Sequence, residues 1–167
     1  MPGGSPRRSS GRRRDVHERA LGLLAVRQRS RVELERRLLG AGFGAEEVAV
    51  ELRRLEDVGL IDDRAFASAL AEHAVRTRNE GRRAVARRLV AAGVPGGVVD
   101  DALREQMPDD EEERALELAR SRAGRMHGLS PDRAYARLAG LLARRGYAPE
   151  VARSAARKAL ALESFEA

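Results

Sequence analysis

Three times along the chain a helical stretch ends in glycine, an apolar residue follows, and a new helical stretch begins. The segments are RRLLGAGFGAEEV (36–48), RRLVAAGVPGGVV (87–99) and LLARRGYAPEVA (141–152). Their glycines, Gly42, Gly93 and Gly146, stand 51 and 53 residues apart. Glycine takes the left-handed position at a helix end, and the apolar residue after it (Phe43, Val94, Tyr147) folds back as a lid. A turn recurring at this period divides a chain into repeats. Each repeat is too small and too Ala-rich to hold a large core alone, so neighbours must stack.

The sequence between these turns reads as helix throughout, because Ala and Leu dominate and strand-favouring runs are absent. Val16, Ala20, Leu23 and Leu24 mark a first helix at about 15–27. Ser30 and Glu33 form a capping-box pattern that opens a second, with Leu34 and Leu38, ending at Gly42. Val48, Leu52 and Leu55 mark a third, ending at Gly59, and Asp62 or Asp63 caps a fourth that buries Phe66 and Leu70. Gly81 opens a fifth (Val85, Leu89) that ends at Gly93. Pro95 at a first-turn position starts a sixth, with Val98 or Val99 and Leu103. The acids from Asp109 to Glu113 sit on the amino end of a seventh, favoured by its dipole. Ser130-Pro131 and Pro149 start the last two. The expected fold is all-α, three tandem three-helix repeats in an elongated, curved array. Repeats over 15–60, 61–107 and 108–167 follow an Arg-rich tail, 1–14, with too little to bury to be ordered.

The formal net charge is +6, which by itself suggests an acidic partner such as nucleic acid. Its distribution changes that reading. Residues 1–14 hold five Arg and no acid, so the rest of the chain is close to neutral. That remainder is striped. Segment 46–63 has seven acids against two Arg and 100–113 has eight against one, whereas 76–88 has six Arg against one Glu and 114–145 has eight Arg against two acids. Aromatic residues make up 3% of the chain, with no Trp, too few for the base stacking that single-strand binders use. The absence of Cys excludes a disulfide scaffold and a thiolate metal site. No apolar run reaches the length of a membrane span, and the amino-terminal residues lack a secretory apolar stretch, so the expected location is the cytoplasm.

Catalytic constellations are missing. His17, His73 and His127 lie in different repeats with no metal-binding spacing, and read as solvated helix-face residues. The acids of 109–113 are contiguous rather than spaced as a ligand loop, and there is no phosphate-binding GxxxxGK motif. The expectation is a non-enzyme with no metal and no cofactor. More informative are the arginines. Arg82-Arg83 and Arg87-Arg88, with Arg76 and Arg78 upstream, are candidates for a positive ridge, extended by Arg120, Arg122, Arg125, Arg144 and Arg145 onto the third repeat. Residues 30–55 also have the outline of a DNA-reading helix-turn-helix, but its second helix carries Glu46, Glu47 and Glu51, which phosphates would repel. An autonomous nucleic-acid-binding or transcription-related protein is therefore the second reading. Nothing resembles a dimer heptad seam, so a monomer is expected.

The segment RLEDVGLIDDRAFASALAEHAVRTRNEGRRAVARRLVAAGV (54–94) resembles the central repeat of RecX-family proteins, regulators of the RecA recombinase. SRVELERRLLGAGF (30–43) is similar to the first repeat and LLARRGY (141–147) to a turn of the third. The sharpest element is Gly59-Leu60-Ile61-Asp62-Asp63 followed by Phe66. Read from its residues, it is structural: Gly59 ends a helix, Leu60 and Ile61 turn into the core, and an Asp caps the next helix above Phe66. The chain departs from the family at Leu70, where an aromatic is common, and at Arg82, where Pro is common. The resemblance implies a non-enzymatic modulator that binds RecA and RecA–DNA filaments and suppresses ATP hydrolysis, strand exchange and co-protease activity. On that view acidic stripes meet recombinase protomers, while the Arg ridge and tail meet DNA, with weak direct DNA contact.

Overall fold

A computed structural model describes residues 7–107 and 110–161, the side chains of 7–14 excepted. The described residues form helices and no strand: α1 (Arg7–Val26), α2 (Arg31–Gly40), α3 (Ala45–Asp57), α4 (Asp63–His73), a π-helical turn (Ala74–Arg78), α5 (Arg82–Ala91), α6 (Gly96–Gln106), α7 (Glu111–Ala123), α8 (Pro131–Arg144) and α9 (Pro149–Ala159). Helix α1 begins at Arg7, earlier than expected. Arginine has good helix propensity, so a helix nucleated by the apolar face from Val16 extends backwards at little cost. Eight residues of the tail read as disordered thus have helical backbone, and residues 1–6 lie outside the described set. Pro95 precedes α6 rather than sitting within its first turn. Asp109 lies outside the described residues.

The chain divides into two compact units, one comprising residues up to Phe66 together with Ala91–Pro95, the other Ala67–Val90 with Gly96 onward. In the first, Val16, Ala20 and Leu23 of α1 meet Leu34 and Leu38 of α2 and Val48, Leu52 and Leu55 of α3, with Ile61 closing the cluster. Leu24 and Phe43 pack on its margin, Phe43 as the expected lid. The acids of the following turn divide their tasks. Asp62 caps α4, accepting from the backbone N–H of Arg64 (2.9 Å) and Ala65 (3.0 Å). Asp63 instead accepts from the N–H of Arg31 at the start of α2 (2.8 Å), satisfying a helix-end donor far away in sequence. Phe66 is buried, as expected, but Leu60 is not: it stays 52% exposed while Ile61 enters the core. Only one of two adjacent side chains leaving a tight turn can face the same core.

His17 also departs from expectation. Its Nδ1 lies 2.5 Å from Glu51 Oε1, and Glu51, which would have faced solvent on a DNA-reading helix, is 6% exposed. The pairing of a buried carboxylate with a half-buried imidazole satisfies both. Arg29 is likewise buried, donating to Leu23 O (3.2 Å) and to Glu33 (2.5 Å). Glu33 therefore turns to arginines and does not complete the capping box. Ser30 makes its half, accepting from the Glu33 N–H at 3.1 Å.

Ser30 also donates to the carbonyl of Ala92, which brings the Gly93 turn onto the start of α2 within the first unit. Gly93 has φ +78°, and a Cβ there would overlap the Val32 side chain. The second unit repeats the arrangement. The N–H of Gly81 donates to Arg145 O (2.9 Å) and that of Arg83 to Gly146 O (3.1 Å), placing the Gly146 turn against the start of α5. A Cβ on Gly146, whose φ is +87°, would overlap Ala84. Behind this contact α7, α8 and α9 enclose Ala115, Leu118, Ala119, Leu142, Tyr147, Ala152 and Ala155. The alanines of α9 let it approach closely, so close packing substitutes for large side chains.

Tyr147 is 2% exposed and its hydroxyl has no hydrogen-bond partner among the described residues. Burial, against the smaller opposing effect of Arg114, pushes that hydroxyl above its usual 10.0. Because the folded value exceeds the unfolded one, the tyrosine's contribution to stability is complete below the unfolded value and is lost as pH rises through the folded one. Tyr147→Phe should remove this share of alkaline destabilisation and raise stability at neutral pH by about 1 kcal/mol, by sparing an unpaired buried hydroxyl; urea melts at neutral and alkaline pH measure both. The glycine turns give a second comparison. Gly42→Ala, with φ +91° but open space around it, should cost about 1–2 kcal/mol. Gly146→Ala should cost roughly 1–3 kcal/mol more, since its Cβ meets backbone. Thermal melts of the two variants should differ accordingly.

Candidate partner-binding surface

All eleven arginines of the expected ridge fall in the second unit. They do not act alike. On α5, residues 83 and 87 are one turn apart, and their side chains are exposed with no ion pair among the described residues. Their neighbours turn inward. Arg82 donates from Nη2 to the carbonyl of Met107, and its own N–H donates to Glu111 Oε1 at 2.7 Å. Arg88 donates to Glu80 at 2.8 Å. Arg78 lies 3.6 Å from the same carboxylate, whose side chain is largely buried. Glu80, the one acid of segment 76–88, thus gathers two of the supposed ridge residues, and its solitude among arginines was the available signal. Arg145 donates to the carbonyl of Arg78. Arg76, on the π turn, makes an exposed pair with Glu72 (3.3 Å), of the kind that contributes little.

The π turn leaves no signature in the sequence, since apolar spacing says nothing about the five-residue AVRTR segment. It ends at Asn79 with φ 48° and ψ 48°, and the N–H groups of Asn79 and Glu80 both reach Ala74 O. This tight exit points Glu80 inward. Arg120 and Arg122 close α7, Arg125 follows, and Arg144 closes α8; none makes an ion pair among the described residues. Arginines in last turns also complement the helix dipole, which gives Arg120, Arg122 and Arg144 a local role. What the structure leaves free for an anionic partner is therefore Arg83 and Arg87 on one helix face, with Arg120, Arg125 and Arg144 exposed elsewhere in the unit.

No group of three or more His, Asp or Glu side chains converges among the described residues, and no described helix is long and apolar enough to cross a membrane. A cavity of about 260 Å³ lies between Leu116 and Val151 of α7 and α9, rimmed by Glu112, Glu113 and Lys158.

Family models for the RecX second and third three-helix domains match residues 62–103 and 109–156. The regulatory protein RecX of Streptomyces coelicolor is 38% identical over 140 residues, covering 84% of this chain and 74% of its own. The chain belongs to the RecX family. The regulatory protein RecX of Chlorobaculum tepidum is 34% identical over 92% of this chain and 94% of its own. Among solved structures, RecX from Lactobacillus salivarius superposes with a TM-score of 0.77 at 20% identity, covering 92% of this chain and 99% of that one. A second RecX crystal structure gives 0.73 at 22% identity, over 90% and 78%. The all-α RecX fold, built of three-helix domains, is thereby assigned.

Within that fold the inward arginines are structural. Arg82→Ala should destabilise the protein by about 1–2 kcal/mol, because it abandons the carbonyl of buried Met107. The double variant Arg83→Ala/Arg87→Ala should stay within about 0.5 kcal/mol of the parent. Chemical denaturation compares them directly.

Proposed function

We propose that this RecX-family chain is a non-enzymatic regulator of a RecA-type recombinase. It binds the recombinase and its filament on DNA, and lowers ATP hydrolysis, strand exchange and co-protease activity. The observation that carries this reading is the relationship to proteins named regulatory protein RecX over most of the chain. The striped charge supports it: acidic segments suit a protein surface, while exposed Arg83 and Arg87 suit phosphate oxygens. The division into repeats at 15–60, 61–107 and 108–167 belongs to the same proposal, as does action as a cytoplasmic monomer.

Phosphates are met by charge rather than by base stacking, so direct DNA binding is weak and strongly salt-dependent. Titrating the protein into the host recombinase, with strand exchange and DNA-dependent ATPase as readouts, should depress both at near-stoichiometric ratios. Unchanged rates would overturn the proposal. Arg83→Ala/Arg87→Ala should lower the slope of log affinity for the filament against log salt by about 2 if both meet phosphates. A gel shift without recombinase separates the second reading, an autonomous nucleic-acid binder, which requires tight and sequence-selective binding.

A further inference from the structure

The turn joining α3 to α4 contains the chain's most distinctive motif, yet the fold uses only part of it. Ile61 enters the core and Asp62 and Asp63 satisfy backbone donors. Val58 and Leu60 do neither, remaining 63% and 52% exposed on either side of Gly59. Single exposed apolar residues are ordinary on protein surfaces, but these two are presented together on a fixed backbone. The N–H of Val58 donates to Arg54 O (3.2 Å), that of Gly59 to Glu56 O (2.9 Å), and those of Leu60 and Ile61 both to Leu55 O (2.8 and 3.2 Å). Four consecutive donors are satisfied, and Gly59 supplies the φ of +73° the path requires. A partner meeting this turn would order little new backbone, which lowers the cost of association.

The surroundings specify the partner's chemistry. Glu56, Asp57 and Asp62 flank the two apolar side chains and are exposed; Glu56 pairs with Arg31 (3.0 Å), and Asp62 caps α4. Arg53, Arg54 and Arg64 are exposed nearby, but segment 46–63 as a whole carries seven acids against two Arg, a balance that disfavours phosphates and favours a basic protein surface. We propose that Val58 and Leu60 form an apolar knob that docks into an apolar socket rimmed by Lys or Arg on a protein partner. On the functional reading above, on which this inference rests, that partner is a recombinase protomer. The knob is distinct from the Arg83/Arg87 face, so the two surfaces divide protein from phosphate recognition.

The test uses the full chain and the host recombinase assembled on single-stranded DNA. Val58→Ser/Leu60→Ser removes the knob without entering the core, and circular dichroism with thermal melting should match the parent. Affinity for the filament should fall at least tenfold, while the weak affinity for naked DNA stays the same. Asp57→Lys should weaken filament binding chiefly at low salt and leave naked-DNA binding equal or stronger. If the parent binds the filament and the double serine variant binds it equally well, the knob is refuted and the functional reading survives. If the parent itself fails to bind the filament, the functional reading falls and takes the knob with it.

Discussion

Both compact units rest on one kind of contact, a left-handed glycine turn pressed against the start of an earlier helix. In the first unit the Gly93 turn reaches Ser30 and Val32, and in the second the Gly146 turn reaches Gly81 and Ala84. The contact needs glycine for two separate reasons: the positive φ, and the absence of a Cβ where the other helix lies. With aromatics scarce and alanines facing each other in α7 and α9, large side chains cannot supply the burial, and close backbone approach does so instead. The same contact satisfies donors and acceptors at helix ends that burial would otherwise leave unpaired.

Polar groups at these junctions do work that composition alone would assign to solvent. Asp62 and Asp63 look interchangeable as caps, but one closes α4 and the other reaches α2. Arg82 and Arg83 look like a pair on a charged face, yet one is bound to Met107 and Glu111 while the other points out. A charge run in a helical repeat therefore mixes structural and available cations, and helix periodicity is what separates them. That leaves fewer arginines free for an anionic partner than the arginine count suggests. It also leaves the acidic segment 46–63 of the first unit with its own apolar feature at Val58 and Leu60.

Much of the fold was legible in the chain. Gly42, Gly93 and Gly146 announced their turns because few residues other than glycine tolerate that conformation. Apolar spacing named Leu34, Leu38, Val48, Leu52, Leu55, Val85 and Leu89 as buried, and all are. The start of α1 and the π turn escaped, since neither leaves an apolar signature. Leu60 stays outside the core despite its apolar side chain, because side-chain direction at a turn follows the backbone path, not hydrophobicity. His17 and Glu51, 34 residues apart, belong to separate helices with no local sign of their bond.

By itself the sequence determined that the chain is helical, where its helices stop, and that its body carries alternating charge. Those properties follow from local causes: propensity, glycine stereochemistry and the count of ionisable side chains. Only the tertiary structure decided which charges are spent internally, on Glu80, Glu111, Met107 or Arg78, and which remain on the surface. It also decided that Ile61 is core and Leu60 is not. Such assignments depend on what lies opposite a side chain after the helices meet, and residues distant in sequence make that choice.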